Sequence, residues 1–121
     1  MFVNYSNHPS SGWEDTQISA ALKYGSITVV HFPVVPADCD EDYIQELAEK
    51  EAEIIIEMLD EESAVMVQGE FTLTYALVKR LKQAGIRVVS ACTERNVINK
   101  VDENGDVIKE VRFHFTRFRE Y

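Results

Sequence analysis

The chain has 121 residues, 45% of them hydrophobic and 27% charged, and its formal net charge is −9 at pH 7. These values are those of an ordinary globular protein, and we expect residues 1–121 to form one domain. No apolar run is long enough to span a bilayer, and the first residues lack the basic segment of a signal peptide. Cys39 and Cys92 have no metal-ligand spacing, so we expect reduced thiols in a cytoplasmic protein without a metal or a cofactor.

The negative charge is concentrated in one segment. Twelve acids and one base lie between Asp38 and Glu62, whereas the rest of the chain holds nine acids and eleven bases and is therefore +2. We predict that this segment forms the solvated face of one helix. Such a face repels a phosphate backbone, which argues against the binding of long nucleic acids along that side. A small phosphate-bearing ligand elsewhere on the chain is still compatible with this charge.

The hydrophobic pattern predicts strands that alternate with helices. Short apolar runs indicate strands, and apolar residues at a spacing near 3.6 indicate helices. Because the run at 26–33 is continuously apolar, we expect a strand buried on both faces. In the first helix, Ile18, Ala21 and Leu22 are predicted to point inward. In chain order the predicted elements are strand 2–6, helix 14–24, strand 26–33, helix 41–59, strand 64–67, helix 72–84 and strand 86–91.

After Arg95 the pattern becomes a strict alternation around Asn104-Gly105, which predicts a β-hairpin in residues 96–121. Strands joined by a helical crossover are parallel. We therefore predict an α/β fold: a single Rossmann-like domain with a mainly parallel sheet, three helices and a C-terminal antiparallel β-hairpin. Residues 1–95 form the parallel core, with strand order 2-1-3-4 and the hairpin beyond.

Polar residues follow three of the predicted parallel strands. The carboxyl ends of parallel strands meet at one edge of the sheet, where open α/β folds bind their ligands. The turn at 69–72 matches neither a P-loop nor GxGxxG, so a magnesium–triphosphate site and a dinucleotide site are both disfavoured. It opens a helix whose free N–H groups suit an anion. The residues expected at this edge are Ser6, Asn7, His8, Gly69, Glu70, Thr72, Thr93, Glu94 and Arg95.

Each candidate has a structural alternative. His8 is either a general acid or phosphate donor, or a loop histidine exposed to solvent. Arg95 either clamps a phosphate or pairs with a neighbouring carboxylate. Trp13 fits a core plug or a base-stacking surface, and Gln17 is either solvated or bonded to a base edge. A strand-to-helix turn that places Glu70 favourably for the helix dipole has about the same weight as ligand binding.

Two segments resemble a known family. The opening VNYSNHPSSGWEDTQ resembles small single-domain proteins found beside type III CRISPR systems. The segment MVQGEFTLTYALVKRLKQAGIRVVSACTER is similar to the strand, loop, helix and strand that bind ligand in CRISPR-associated Rossmann-fold (CARF) domains. The resemblance covers most of residues 1–95. It departs from several CARF proteins at the Gly69 turn, where this chain has no lysine.

The resemblance implies a function and a set of roles. Members bind cyclic oligoadenylates across a homodimer two-fold axis, and small stand-alone members are ring nucleases that switch off the antiviral response. Cleavage would use in-line attack by a ribose 2′-OH and leave a 2′,3′-cyclic phosphate without a metal. Under this resemblance Arg95 holds the phosphate with the helix N–H groups, and His8 or Ser6 assists proton transfer. The ligand-binding set it implies is Asn7, Trp13, Gln17, Gly69, Glu70, Thr72 and Thr93.

Three alternatives are left open by the sequence. The first is a sensor or sponge that binds the same cyclic nucleotide without cleaving it. The second is an interaction protein whose hairpin docks on a partner through an exposed face of Val111, Phe113 and Phe115. The third is a small-molecule transferase of flavodoxin-like fold, which no specific residue of the sequence supports.

Overall fold

The computed structural model describes all 121 residues. Its sheet has the strand order β2-β1-β3-β4-β5, with parallel pairing among the first four strands and an antiparallel β4–β5 pair. The predicted α/β fold class and strand order are therefore confirmed. The elements are β1 (Phe2–Ser6), α1 (Asp15–Leu22), β2 (Ile27–His31), α2 (Glu41–Met58), β3 (Ala64–Gln68), α3 (Phe71–Gln83), β4 (Arg87–Val101) and β5 (Val107–Glu120).

The acidic segment forms α2, as predicted. The side chain of Asp40 accepts a hydrogen bond from the N–H of Tyr43 at 2.9 Å and so caps the helix. Its apolar stripe packs on the sheet beside α3, while most of its carboxylates face solvent. None of the three helices has the length and apolarity needed to cross a membrane. The buried residues of the α2 stripe are Ile44, Ala48, Ala52 and Ile55.

The two faces of the sheet are covered unequally. One face packs against α2 and α3 and forms the larger core, around Tyr5, Ile55 and Leu77. The other face is covered by α1 and by aromatic side chains that include Trp13 and Phe118. Because side chains alternate along a strand, even-numbered residues of β1 and β3 point to the α1 side and odd-numbered ones to the α2–α3 side. This alternation decides which side chains reach each side of the carboxyl edge of the sheet.

Two burial predictions were wrong. The strand at 26–33 lies at the edge of the sheet as β2 and is only partly buried, because it pairs with β1 alone. In α1, Leu22 was predicted to point inward but is exposed. The buried residues of this helix are Gln17 and Ala21. The short helix therefore turns a polar residue toward the sheet.

The last parallel strand does not end where the sequence predicted. β4 continues through Thr93, Glu94 and Arg95 to Val101, so residue 95 is not a break between two elements. β4 pairs with β3 only as far as Val89, and a register shift between Cys92 and Thr93 interrupts its pairing with β5 beyond that point. We call residues 93–115 the arm. Its turn contains Gly105 at φ +81°, as the Asn-Gly signal predicted.

Gly69 is required by packing. A Cβ at this position would lie 2.4 Å from the Phe32 ring, which itself packs on Tyr5 with ring centroids 5.3 Å apart. We expect Gly69→Ala to lower the free energy of unfolding by about 1–3 kcal/mol, because the ring cannot move without disturbing the core. Gly12→Ala is the matched control, since nothing lies within 4 Å of its added Cβ. Urea denaturation of both variants tests this, and equal stabilities would contradict it.

Candidate functional site

Two clefts meet at the carboxyl edge of the sheet. The α1-side cleft has a volume of about 530 Å³ and lies between α1, the end of β3 and the root of the arm. The α3-side cleft, of about 450 Å³, lies across the edge beside α3. His8 and Gln68 line both clefts and form the wall between them. The predicted residues Trp13, Gln17 and Thr93 line the first cleft, and Asn7 and Gly69 line the second.

A buried polar network fixes the loop that carries His8. The side-chain amide of Asn4 donates to the carbonyl of His8 at 2.9 Å and to the hydroxyl of Ser10 at 3.0 Å. The hydroxyl of Ser6 donates to Asn4 Oδ1 at 2.5 Å and accepts from the N–H of His8 at 3.1 Å. Ser6 thus holds the loop from a buried position, while the imidazole of His8 is exposed and has no partner within the chain.

Gln68 presents hydrogen-bond donors to both clefts. Pairing between β3 and β4 ends at Met66 and Val89, and beyond it Gln68 Oε1 accepts from the N–H of Ala91 at 2.6 Å. An N–H group can bond only to the oxygen of the side-chain amide, so this contact fixes the amide orientation. The NH2 group of Gln68 is left without a partner in the chain. The wall between the clefts therefore offers the amide of Gln68 beside the imidazole of His8.

The α1-side cleft contains an amide without a partner in the chain. Gln17 as a residue is only 7% exposed and lines the cleft, and its side chain makes no hydrogen bond within the chain, so its amide is accessible from the cleft alone. The indole Nε1 of Trp13, in the same wall, is fully buried without an acceptor. A buried donor without a partner costs about 1–3 kcal/mol. The cleft thus contains polar groups that the chain itself leaves unpaired.

The rest of the α1-side cleft is mostly apolar. Trp13 is held in place by Phe2 and Phe118, whose ring centroids lie 6.1 and 6.3 Å from its own. The one carboxylate in the wall is Glu14, whose Oε1 accepts from the N–H of Phe115 at 3.2 Å. No group of three or more His, Cys, Asp or Glu side chains in the chain is arranged to hold a metal ion.

Glu70 and Thr72 lie apart from these two clefts. Both carboxylate oxygens of Glu70 are used at the start of α3, accepting from the N–H of Thr72 at 3.0 Å and of Leu73 at 2.9 Å. The hydroxyl of Thr72 donates to the same carboxylate. The helix N-terminus predicted to hold a phosphate is thus occupied by the protein's own anion. Both residues line a third cleft, between α2 and α3, where Asp40 and Glu41 add further negative charge.

Arg95 also lies outside the clefts. It pairs with Phe113 across the arm and is exposed, with no carboxylate within ion-pair distance. Thr93 lines the α1-side cleft, and Arg95 follows two residues later on the same face of the strand. Its guanidinium is therefore placed beyond the rim of that cleft. The phosphate-binding role of Arg95 stays a prediction.

Sequence reasoning missed several residues that build the site. Gln68 was placed only at the start of the turn after the strand at 64–67, and Glu14 only at the start of a helix. Phe113 and Phe115 were assigned to a hairpin, although both line the α1-side cleft. Asn4 gave the one available signal, because a polar residue inside an apolar strand has to find partners in the fold.

The cap formed by Glu70 gives a pH prediction. The N–H groups of Leu73 and then Thr72 hold the pKa of this carboxyl below its ordinary value of 4.5. A lowered pKa in the folded state stabilises the fold above that ordinary value, and the effect is lost as the pH falls through the lowered one. We expect Glu70→Gln to lower the free energy of unfolding by about 1 kcal/mol at pH 7 and by less at pH 3.

Urea denaturation at both pH values measures this difference. Glu61→Gln, at an exposed position, is the control and should leave the stability unchanged at both. An equal loss for Glu70→Gln at pH 7 and pH 3 would show that the carboxylate charge does not act on the helix.

Comparison with known proteins places the chain in a family. A model of the family described as "Uncharacterized protein MJ1673 family" matches residues 1–119. No curated protein sequence and no solved structure matches the chain. The matched range extends from the first strand into the end of β5, and so includes the α1-side cleft, the arm and the α3-side cleft except for Tyr121. The chain therefore belongs to the uncharacterized MJ1673 protein family.

Proposed function

We propose that this protein binds cyclic oligoadenylate at the α1-side and α3-side clefts and cleaves it. The observation that carries the proposal is the side chain of Gln17, whose amide has no partner in the chain and lines an aromatic-walled cleft at the carboxyl edge of the sheet. Such an amide adds no hydrogen bond to the fold, whereas a ligand with matching donors and acceptors can bond to it. The amide is therefore the best indication of what the cleft recognises.

Adenine fits the chemistry of the α1-side cleft. A glutamine amide carries a donor and an acceptor side by side, which pair with N7 and N6 of adenine. The volume of about 530 Å³ lies in the range of small-molecule sites. Trp13, Phe113 and Phe115 supply aromatic surface, and stacking of a base on such a surface contributes about 1–3 kcal/mol.

Charge favours these two clefts over the third for an anionic ligand. Glu14 is the one carboxylate side chain in the α1-side cleft, and the α3-side cleft has none. The cleft between α2 and α3 holds Asp40, Glu41 and Glu70. A phosphate that links two nucleotides would lie at the wall shared by the two clefts. There the NH2 group of Gln68 and the imidazole of His8 donate to its oxygens.

The proposed cleavage is a transfer within the ligand. The 2′-oxygen attacks the adjacent phosphorus, the bond from phosphorus to the 5′-oxygen breaks, and the products are a 2′,3′-cyclic phosphate and a 5′-hydroxyl. One proton leaves the 2′-oxygen and one reaches the 5′-oxygen, so no water is consumed. His8 carries this proton, since its imidazole is exposed at the shared wall and its backbone is fixed by Ser6 and Asn4.

The biological role that we propose follows from the resemblance to CARF proteins of type III CRISPR systems. A cytoplasmic enzyme that linearises the second messenger would end the antiviral response. The chain's excess of negative charge supports a small ligand over long nucleic acid, because α2 would repel an extended phosphate backbone.

Substitution of Gln17 separates recognition from folding. We expect Gln17→Leu to raise the dissociation constant for cyclic oligoadenylate about 10- to 100-fold, while stability stays equal or increases because an unpaired amide is removed. Gln83→Leu, at an exposed site on α3, is the matched control. Calorimetric titration with cyclic tri-, tetra- and hexa-adenylate, with urea denaturation alongside, measures both quantities. Unchanged affinity with reduced stability would make Gln17 a structural residue.

Cleavage is tested separately from binding. Purified protein is incubated with each ring, with and without EDTA, and linear products are separated by chromatography. We expect His8→Ala to slow product formation about 10²- to 10⁴-fold while leaving the dissociation constant within a few-fold, as removal of a proton-transfer group does. His31→Ala, an exposed histidine on β2, is the control. Binding without products would replace the nuclease by a sensor, and absence of binding would overturn the proposed ligand.

A further inference from the structure

The arm has one face with no partner in the chain. Successive side chains of β4 and β5 alternate between two faces, and cross-strand partners share a face. The face that continues from the α1-side cleft is called the inner face. It carries five apolar side chains that are between 42% and 70% exposed: Val97, Val101, Val107, Val111 and Phe113. Its other members are Arg95, Asn99 and Lys109.

The opposite, outer face has fewer exposed apolar side chains, Ile98 and Ile108, and carries a cluster of ion pairs. Glu110 lies 2.6 Å from Lys100 and 3.2 Å from Arg112, and these two cations hold its pKa below the ordinary value. The inner face has no ion pair, and no helix or third strand covers it. A two-stranded ribbon alone is marginally stable in water. A ribbon with one more apolar face that also lacks ion pairs is typical of a ribbon whose more apolar face is covered.

We propose that the inner face of the arm pairs with the inner face of a second copy of this chain, with the two arms running in opposite directions. The charges of the arm select this occupant and this direction. The turn carries Asp102, Glu103 and Asp106 and no base, whereas Arg95 at the root of the inner face has no carboxylate partner. Opposed arms place each acidic turn beside Arg95 of the other copy. Arms running in the same direction would bring the two acidic turns together.

The arrangement is self-complementary, as a two-fold interface requires. The arm extends about 26 Å from Thr93 to Val101, at about 3.3 Å per residue. With opposed arms, the pair of Arg95 and Phe113 lies over Val101 and Val107 of the second copy. Phe113 also lines the α1-side cleft. The second copy therefore forms the outer rim of that cleft, and each site is complete only in the dimer.

The test uses the ligand-free full-length protein, so its outcome is independent of the proposed function. Sedimentation equilibrium of the wild type is compared with Val111→Asp on the inner face and Ile108→Asp on the outer face. These residues lie on the same strand and have similar exposure, 42% and 48%. We expect a dimer for the wild type and for Ile108→Asp, and a monomer for Val111→Asp. A monomeric wild type, or equal effects of the two variants, would overturn the proposal.

Exchanging the charges of Arg95 and Glu103 tests the direction of the arms. Both residues are exposed, so these variants do not place a charge in the core. Arg95→Glu and Glu103→Arg are each expected to raise the dimer dissociation constant about tenfold, because each places like charges together. The double variant is expected to restore it to near the wild-type value. Additive weakening in the double variant would overturn the opposed arrangement. Circular dichroism of each variant establishes that the fold is retained.

Discussion

The site depends on the separation of β3 from β4. The two strands pair only as far as Met66 and Val89, and beyond that point the side chain of Gln68 occupies the position that a neighbouring strand would take. Because β4 no longer follows β3, it can continue as the arm, and the space between the strands opens on both sides of the sheet. The hydrogen bond from Ala91 to Gln68 thus lies where the arm and both clefts begin, and it fixes the orientation of the amide between the clefts.

Polar groups inside this fold serve two different purposes. Asn4 and Ser6 are buried on β1, but their donors and acceptors bond to each other and to the backbone of the next loop. A satisfied buried network makes a loop rigid, and here it holds His8 at the edge of the sheet. Gln17 is a largely buried residue whose amide faces the α1-side cleft and has no such partner. Asn4 and Ser6 thus hold the loop in place, and the proposed role of Gln17 in ligand recognition rests on this contrast.

The sequence predicted the architecture well because its signals are local. The helix at 41–59, the helix at 72–84 and the hairpin turn at Asn104-Gly105 are each predicted by a pattern within one segment, and all three occur in the structure. The errors concern relations that a local pattern does not contain. A continuous apolar run such as β2 fits an edge strand as well as a central one. Leu22 was predicted to be buried and is exposed, whereas the polar residue Gln17 is buried. Because α1 is short, the hydrophobic periodicity that predicts its buried face is poorly defined.

The candidate site was predictable in position but not in detail. The rule that ligands bind where parallel strands end predicted the edge position of His8 and Thr93, which line one cleft. It could not predict that Glu70 would fold back on its own helix, because capping and ligand binding require the same carboxylate in the same place. Nor could it distinguish a polar segment that follows a strand from a strand that continues beyond the sheet. Thr93, Glu94 and Arg95 were predicted to follow the last parallel strand, but they belong to that strand.

Arg95 takes part in the proposed pairing of the arms and was also predicted to bind the phosphate of the ligand. It cannot do both at once. A guanidinium engaged by the acidic turn of a second copy is not free to clamp a phosphate, so recognition of the anion then falls to His8 and Gln68 at the shared wall. Phe113 lies beside it on the inner face and also in the α1-side cleft. Pairing of the arms would therefore bury one wall of the cleft while withdrawing one cation from it. In the dimer with paired arms, the cleft would gain apolar contact with a base and lose the attraction of Arg95 for the phosphate. Binding would then depend more on contacts with the base than on charge.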